Sequence, residues 1–269
     1  MHRLVFVALL LACSEERERP ARPAPAPATV EPAAASPAPA ALPEAREVRF
    51  TSGDGITLVG DLQPADRPDA PLVLLVHQLA SDRSEWAALR ARLHESPRVA
   101  TFAFDLRGHG QSTAGPSGAV DFHRFTPTEW AATGDDVLAA LREITSETHG
   151  LNPRRIAAVG SSIGATAVIA AAAEVPRIEV VVALSPGRAY HGFDALTPIT
   201  SLGGRSFFAV VARDETENVE TAQAMARVLG GEALLVEGSA HGVALFGADP
   251  TSLDRVETFL RGALEVERP

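Results

Sequence analysis

Short continuous apolar runs alternate with longer amphipathic stretches from Arg46 onward. Pro71–Val76, Val99–Phe104, Arg155–Val159, Val180–Leu184, Phe207–Ala212 and Ala233–Val236 are too brief for helices. They lack in/out alternation, as expected of strands buried on both faces. Between and after them, Glu85–His94, Pro127–Thr148, Val219–Leu229 and Thr251–Leu264 carry helical spacing, and Ala165–Ala173 is an alanine-rich helix former. Thr126 followed by Pro127 is a helix-opening signal. Glu47–Phe50 and Ile56–Leu62 flank Ser52-Gly53-Asp54-Gly55, a turn sequence that predicts a hairpin. Strands alternating with helices predict an α/β fold with a mostly parallel central sheet covered on both faces. No internal repeat is evident.

The first 45 residues follow a different pattern. His2 and Arg3 precede an apolar run, Leu4–Ala12, far shorter than the roughly 20 residues of a membrane span, so residues 1–12 read as a secretion signal. From Pro20 to Pro43 nearly every residue is proline or alanine. Such a segment has little to pack and is expected to be an extended, semi-rigid spacer, reaching roughly 75 Å at about 3.1 Å per residue. Residues 13–45 are therefore expected to be a disordered tether and 46–269 one catalytic-sized domain.

Composition then removes several function classes. All 24 basic residues are arginine, which excludes Schiff-base lysines and Ser–Lys dyads. The net charge of −10 resides almost wholly in the domain, and no basic stripe is present, so nucleic acid is not an expected partner. The single cysteine, Cys13, precedes the domain, leaving it no internal disulfide or thiolate site. No metal-ligand spacing or cofactor motif is present, and none of either is expected.

The chemistry concentrates where the strand Arg155–Val159 runs into Gly160-Ser161-Ser162-Ile163-Gly164 and then the alanine-rich helix. This is G-x-S-x-G in a strand–turn–helix context. The tight turn exposes the Ser162 hydroxyl, and the following helix aims its first amides at a developing oxyanion. A hydroxyl needs a base. His241, in Glu237-Gly238-Ser239-Ala240-His241-Gly242, follows the last predicted strand and so falls at the carboxyl edge of the sheet. Asp214, just beyond Phe207–Ala212, is the candidate to orient that imidazole; Glu215, Glu217 and Asp194 are alternatives. His94 and His149 end helices and are assigned to capping.

The order Ser162, Asp214, His241 resembles that of the α/β-hydrolase superfamily. Val73–Val76 with His77-Gln78-Leu79-Ala80 is similar to the family's strand and oxyanion loop, although most members carry His-Gly where this chain has His77-Gln78. Phe104-Asp105-Leu106-Arg107-Gly108-His109-Gly110-Gln111-Ser112 matches its D-x-R-G-H-G-x-S loop, and Gly238–Gly242 resembles the histidine loop of small dienelactone-hydrolase and esterase-like members. The resemblance runs from Arg46 to about Leu264. It implies a serine hydrolase acting through an acyl-enzyme, with carboxylic esters as expected substrates. Amide, peptide, thioester and lactone bonds stay open, as does a catalytically silent binding or scaffold role. It also implies an oxyanion hole from the Ile163 amide and that of Leu79 or Gln78, and structural roles for His77, Asp105, Arg107 and His109. Only about twenty residues separate Leu184 from Phe207, so no large cap domain is expected.

Leu10-Leu11-Ala12-Cys13 resembles the lipobox of bacterial lipoproteins. That implies cleavage before Cys13, acylation of it, and a membrane partner through the lipid. Ser14 after the cysteine favours the outer membrane. Oligomeric state is not legible.

Overall fold

The computed structural model describes residues 44–95 and 99–265. Cys13, the signal segment and most of the tether lie outside the described residues.

The chain opens with β1 (Arg46–Thr51) and β2 (Thr57–Gln63), the expected hairpin, followed by β3 (Leu72–Val76), α1 (Ala87–His94) and β4 (Ala100–Asp105). After a small ribbon, β5 (Ala114–Gly115) and β6 (Gly118–Ala119), come α2 (Pro127–Ala131), α3 (Thr133–Ile144), β7 (Ile156–Ser161), α4 (Ile163–Glu174) and β8 (Ile178–Leu184). The remainder is a two-residue ribbon, β9 (Ala189–Tyr190) and β10 (Phe193–Asp194), then β11 (Ser206–Ala212), α5 (Thr216–Leu229), β12 (Glu232–Val236), α6 (Leu245–Ala248) and α7 (Pro250–Ala263).

The main sheet runs β12-β11-β8-β7-β3-β4-β2, with β1 and β5 paired to β2. The six strands from β12 to β4 are parallel, and β1 and β2 are antiparallel. Side-chain alternation explains the double covering. In β3, Leu72, Leu74 and Val76 join the core under α2 to α5, while Val73 and Leu75 join the core under α1, α6 and α7. Every residue of β3, β4 and β7 is buried, which is why these strands read as unbroken apolar runs. β3 leads to β4 on one side, while β7 lies on its other side. The strand order therefore reverses between β3 and β7, where ligands bind in open parallel sheets.

Two expected elements differ in detail. The helix predicted over Pro127–Thr148 is three pieces: α2, α3 and a 3₁₀ turn at Glu147–His149. Thr126 caps α2 with a reciprocal Thr126–Glu129 box, but at Ala132 the backbone (ψ −7°) leaves the helical path and the Thr133 hydroxyl bonds the Trp130 carbonyl. The stretch predicted as helix from Glu85 begins as a 3₁₀ turn, Arg83–Trp86. Between β8 and β11 there is only the β9–β10 ribbon and a 3₁₀ turn at Pro198–Leu202, so the fold has no cap domain. No helix among the described residues is long and apolar enough to cross a membrane.

Candidate active site

Ser162 sits between β7 and α4 with φ 54° and ψ −117°, a conformation that non-glycine residues rarely hold. The turn closes this tightly because its flanks have no side chains. A Cβ on Gly160 would lie 2.3 Å from the Gly164 carbonyl oxygen, and one on Gly164 would lie 2.3 Å from that of Val76. The second contact brings the start of α4 against the end of β3, so the elbow and the loop after β3 meet at the reversal point of the sheet.

That loop carries Gln78 and Leu79. The structure corrects one expectation: the Gln78 amide is not available to an oxyanion, because it donates to Glu85 Oε1 at 3.0 Å. Leu79 N–H has no acceptor among the described residues, and neither does Ile163 N–H, the first amide of α4. Of the amides expected to form an oxyanion hole, Ile163 and Leu79 are thus the two left without an acceptor among the described residues. The Gln78 side chain accepts from Ser161 Oγ at 3.0 Å and abuts Gly242. It thereby ties the oxyanion loop to the elbow and to the histidine loop. Burial pushes the Glu85 carboxyl up to about 7, against the opposing pull of the Ser81 hydroxyl and the Gln78 amide.

His241 follows β12. Its Nδ1 lies 2.5 Å from Glu215 Oε1, not from Asp214. The expected partner, Asp214, is therefore replaced by its neighbour. Asp214 is exposed, and its amide donates to the Gly238 carbonyl while β11 ends. One residue later the chain turns inward, and the Glu215 side chain is only 13% exposed. Glu215 Oε1 also accepts from Asn218 Nδ2 (3.0 Å), and Oε2 from Ser185 Oγ (2.7 Å). Burial alone would raise the Glu215 carboxyl, but the bonds from His241 and Ser185 outweigh it and hold the group below its usual range. Ser185, buried at the end of β8 with φ 45°, also accepts from Gly242 N–H (3.0 Å), so one hydroxyl steadies both the acid and the histidine loop. Glu217 and Asp194 are not against His241; the Asp194 carboxylate accepts from the Leu196 and Thr197 amides.

Gly242 packs on Ser161, so the chain neighbours of His241 and Ser162 touch. The Ser162 hydroxyl itself donates to the Tyr190 hydroxyl at 3.1 Å, and no hydrogen bond among the described residues joins it to His241. Tyr190 is the chain's sole tyrosine; nothing in its sequence surroundings marks it as part of the site.

The D-x-R-G-H-G-x-S loop frames the site through its own bonds. Asp105 accepts from Arg83 and from the Gln111 amide, and the Ser112 hydroxyl donates to the Asp105 carbonyl. Arg107 is clamped between Asp136 and Asp54. His77 joins the ends of β3 and β4: Nδ1 donates to the Gln78 carbonyl and Nε2 accepts from Leu106 N–H. Burial lowers His77 to about 4, so its ring stays neutral. Beside the oxyanion loop is an open hollow of about 440 Å³ lined by residues that include Ala80, Ser81, His109, Phe122 and His123. No group of three or more His, Cys, Asp or Glu among the described residues could hold a metal.

Comparison with known proteins bears on the family and the fold. The family model described as "Serine aminopeptidase, S33" matches residues 67–222, a stretch that includes Ser162 and Glu215 and stops short of His241. Two uncharacterised Mycobacterium tuberculosis proteins, from strains H37Rv and CDC 1551, are each 31% identical over 143 residues, 53% of this chain. The match spans 46% of their length, about half of the curated relatives. Among solved structures, the Pyrococcus furiosus esterase Pf2001 superposes with a TM-score of 0.66 at 19% identity, covering 82% of this chain and 93% of that one. The dienelactone hydrolase of Anabaena variabilis gives 0.63 at 18%, covering 84% and 98%. Est1E of Butyrivibrio proteoclasticus, solved with ferulic acid, gives 0.61 at 18%, covering 81% and 99%. At these identities the likeness is one of fold: an α/β hydrolase.

Proposed function

The chain belongs to the serine aminopeptidase S33 family, and on that premise we propose that it hydrolyses carboxylic esters through Ser162, His241 and Glu215. The observation that carries this proposal is the strained Ser162 elbow at the sheet's reversal point, facing a loop whose imidazole is already held by a buried carboxylate. Ser162 Oγ forms a bond to the ester carbonyl carbon as its proton passes to His241 Nε2. The Ile163 and Leu79 amides hold the oxyanion, and Glu215 stabilises the imidazolium. Collapse breaks the bond to the alcohol, which leaves with the proton from His241. Water, losing a proton to the same imidazole, then breaks the acyl–Ser162 bond and releases the acid.

Esters are favoured over peptides because esterases recur among the fold's neighbours and the site is open, without a cap to enclose a chain. The family's name supports a second reading, cleavage of aminoacyl bonds by the same groups. In this proposal the domain works at the bacterial envelope, anchored by lipid on Cys13 and spaced from the membrane by residues 13–45. The test of the enzyme is a fluorophosphonate label on the purified protein, followed by short-chain 4-nitrophenyl esters and aminoacyl anilides. Labelling and turnover are expected, both abolished by Ser162→Ala. Turnover that persists in that variant would exclude Ser162 as nucleophile.

A further inference from the structure

Tyr190 reaches the nucleophile by a built route. Its ring covers Gly187, where a Cβ would lie 2.8 Å from Tyr190 Cζ, so only glycine admits the tyrosine there. It stands at the end of β9, paired with Phe193 across a two-residue turn, His191-Gly192, in which both residues carry positive φ (48° and 84°). The His191 ring stacks on Trp130 at 4.6 Å and 12°, and Trp130 is buried. The hydroxyl is thus fixed at both ends of its short ribbon.

Its two hydrogen bonds have a definite direction. The Ser185 carbonyl, 3.2 Å away, can only accept, so the tyrosine proton is committed to it. Ser162 Oγ must then be the donor in the 3.1 Å contact. Burial raises the phenol above its usual value, so that proton stays in place across the working pH range. Tyr190 Oη therefore meets Ser162 as an acceptor only. When Ser162 turns to His241, that acceptor is vacated. A carbonyl bonded to Ser162 Oγ enters beside that oxygen, because Oγ and the phenol oxygen lie 3.1 Å apart.

We propose that Tyr190 is a specificity-determining residue, accepting a hydrogen bond from a donor within two bonds of the scissile carbonyl. The donor is an α-hydroxyl on the acyl group or an N–H on the leaving side. This rests on Ser162 being the nucleophile. A substrate that lacks such a donor leaves the place given up by Ser162 on the half-buried phenol oxygen unfilled, and sites built on polar contacts disfavour unsubstituted analogues in this way.

The experiment compares kcat/KM of the unmodified protein and Tyr190→Phe for phenyl lactate, phenyl propionate and propionanilide, with fluorophosphonate labelling of Ser162 measured on the same preparations. Taking the ratio of the two proteins for each substrate cancels intrinsic reactivity and any general effect of the substitution. The loss in Tyr190→Phe is expected to be about tenfold greater for a donor-bearing substrate than for phenyl propionate, one neutral hydrogen bond's worth. An excess for phenyl lactate alone assigns the contact to the acyl side, and one for the anilide alone to the leaving side. Equal losses for all three, with Ser162 labelled normally, overturn the role of Tyr190 and leave the hydrolase intact. Failure of the unmodified protein to label overturns both.

Discussion

Replacing Glu215 by glutamine removes one charge and keeps the shape. The carboxylate lies 2.5 Å from His241 Nδ1, so the imidazolium formed as Ser162 attacks carries its charge roughly 4 Å from the anion. At an effective dielectric near 20, that pair is worth about 4 kcal/mol, or about a thousandfold in rate. His241 is 42% exposed and part of the field is screened, so a fall in kcat of about 10²- to 10³-fold is expected for Glu215→Gln. The amide can keep its oxygen toward His241 and turn its nitrogen to the Ser185 hydroxyl, which preserves the fold. Asp214→Asn, at an exposed position without a bond to the imidazole, should stay within about twofold of the parent. The assay is 4-nitrophenyl acetate hydrolysis under saturating conditions, with thermal melts to confirm folding. Loss of activity in Asp214→Asn with Glu215→Gln nearly intact would refute the assignment of the acid.

Two further predictions concern buried charge. The Glu85 carboxyl titrates near 7 in the fold, against 4.5 for a free glutamate, so the folded state binds the proton more tightly. Stability should therefore decline as pH rises from about 4.5 to 7, by up to about 3 kcal/mol from this group. Glu85→Gln should flatten that decline in urea unfolding at pH 5, 6.5 and 8, and parallel curves for the two proteins would contradict it. Arg107→Met strands the fully buried Asp136, and is expected to cost about 3–5 kcal/mol at pH 8. Burial already raises Asp136 to about 6 with the arginine present, so protonation should relieve part of that cost at pH 5. Melting curves that show the same deficit at both values would rule this out.

The fold and the Ser162 elbow are legible because strong local signals coincide with them. β3, β4, β7, β8 and β11 are continuous apolar runs, and Gly160–Gly164 carries the steric demand of the elbow in its own residue types. The carboxylate that bonds His241 is one position beyond the one the sequence points to, because periodicity ends where β11 ends. Asp214 and Glu215 are adjacent carboxylates, and which one turns inward depends on Arg213 and Asp214 following β12 through bonds to Val236 and Gly238. Those are contacts between distant segments. The same holds for Gln78, whose amide is taken by a carboxylate seven residues on, and for Ser185 and Tyr190, which join the site only through tertiary packing. The break at Ala132 was hidden because amphipathic spacing continues through Thr133 into α3.

β12 is the outermost parallel strand, bonded to β11 on one side, with its first four residues partly or fully open to solvent. His241, the proposed general base, hangs from it, whereas Ser162, the proposed nucleophile, grows out of β7 in the middle of the sheet. Fraying at that border costs far less than opening the centre. Warming should therefore silence the catalyst by unhooking its histidine while the serine elbow and most of the domain remain folded, and cooling should restore it.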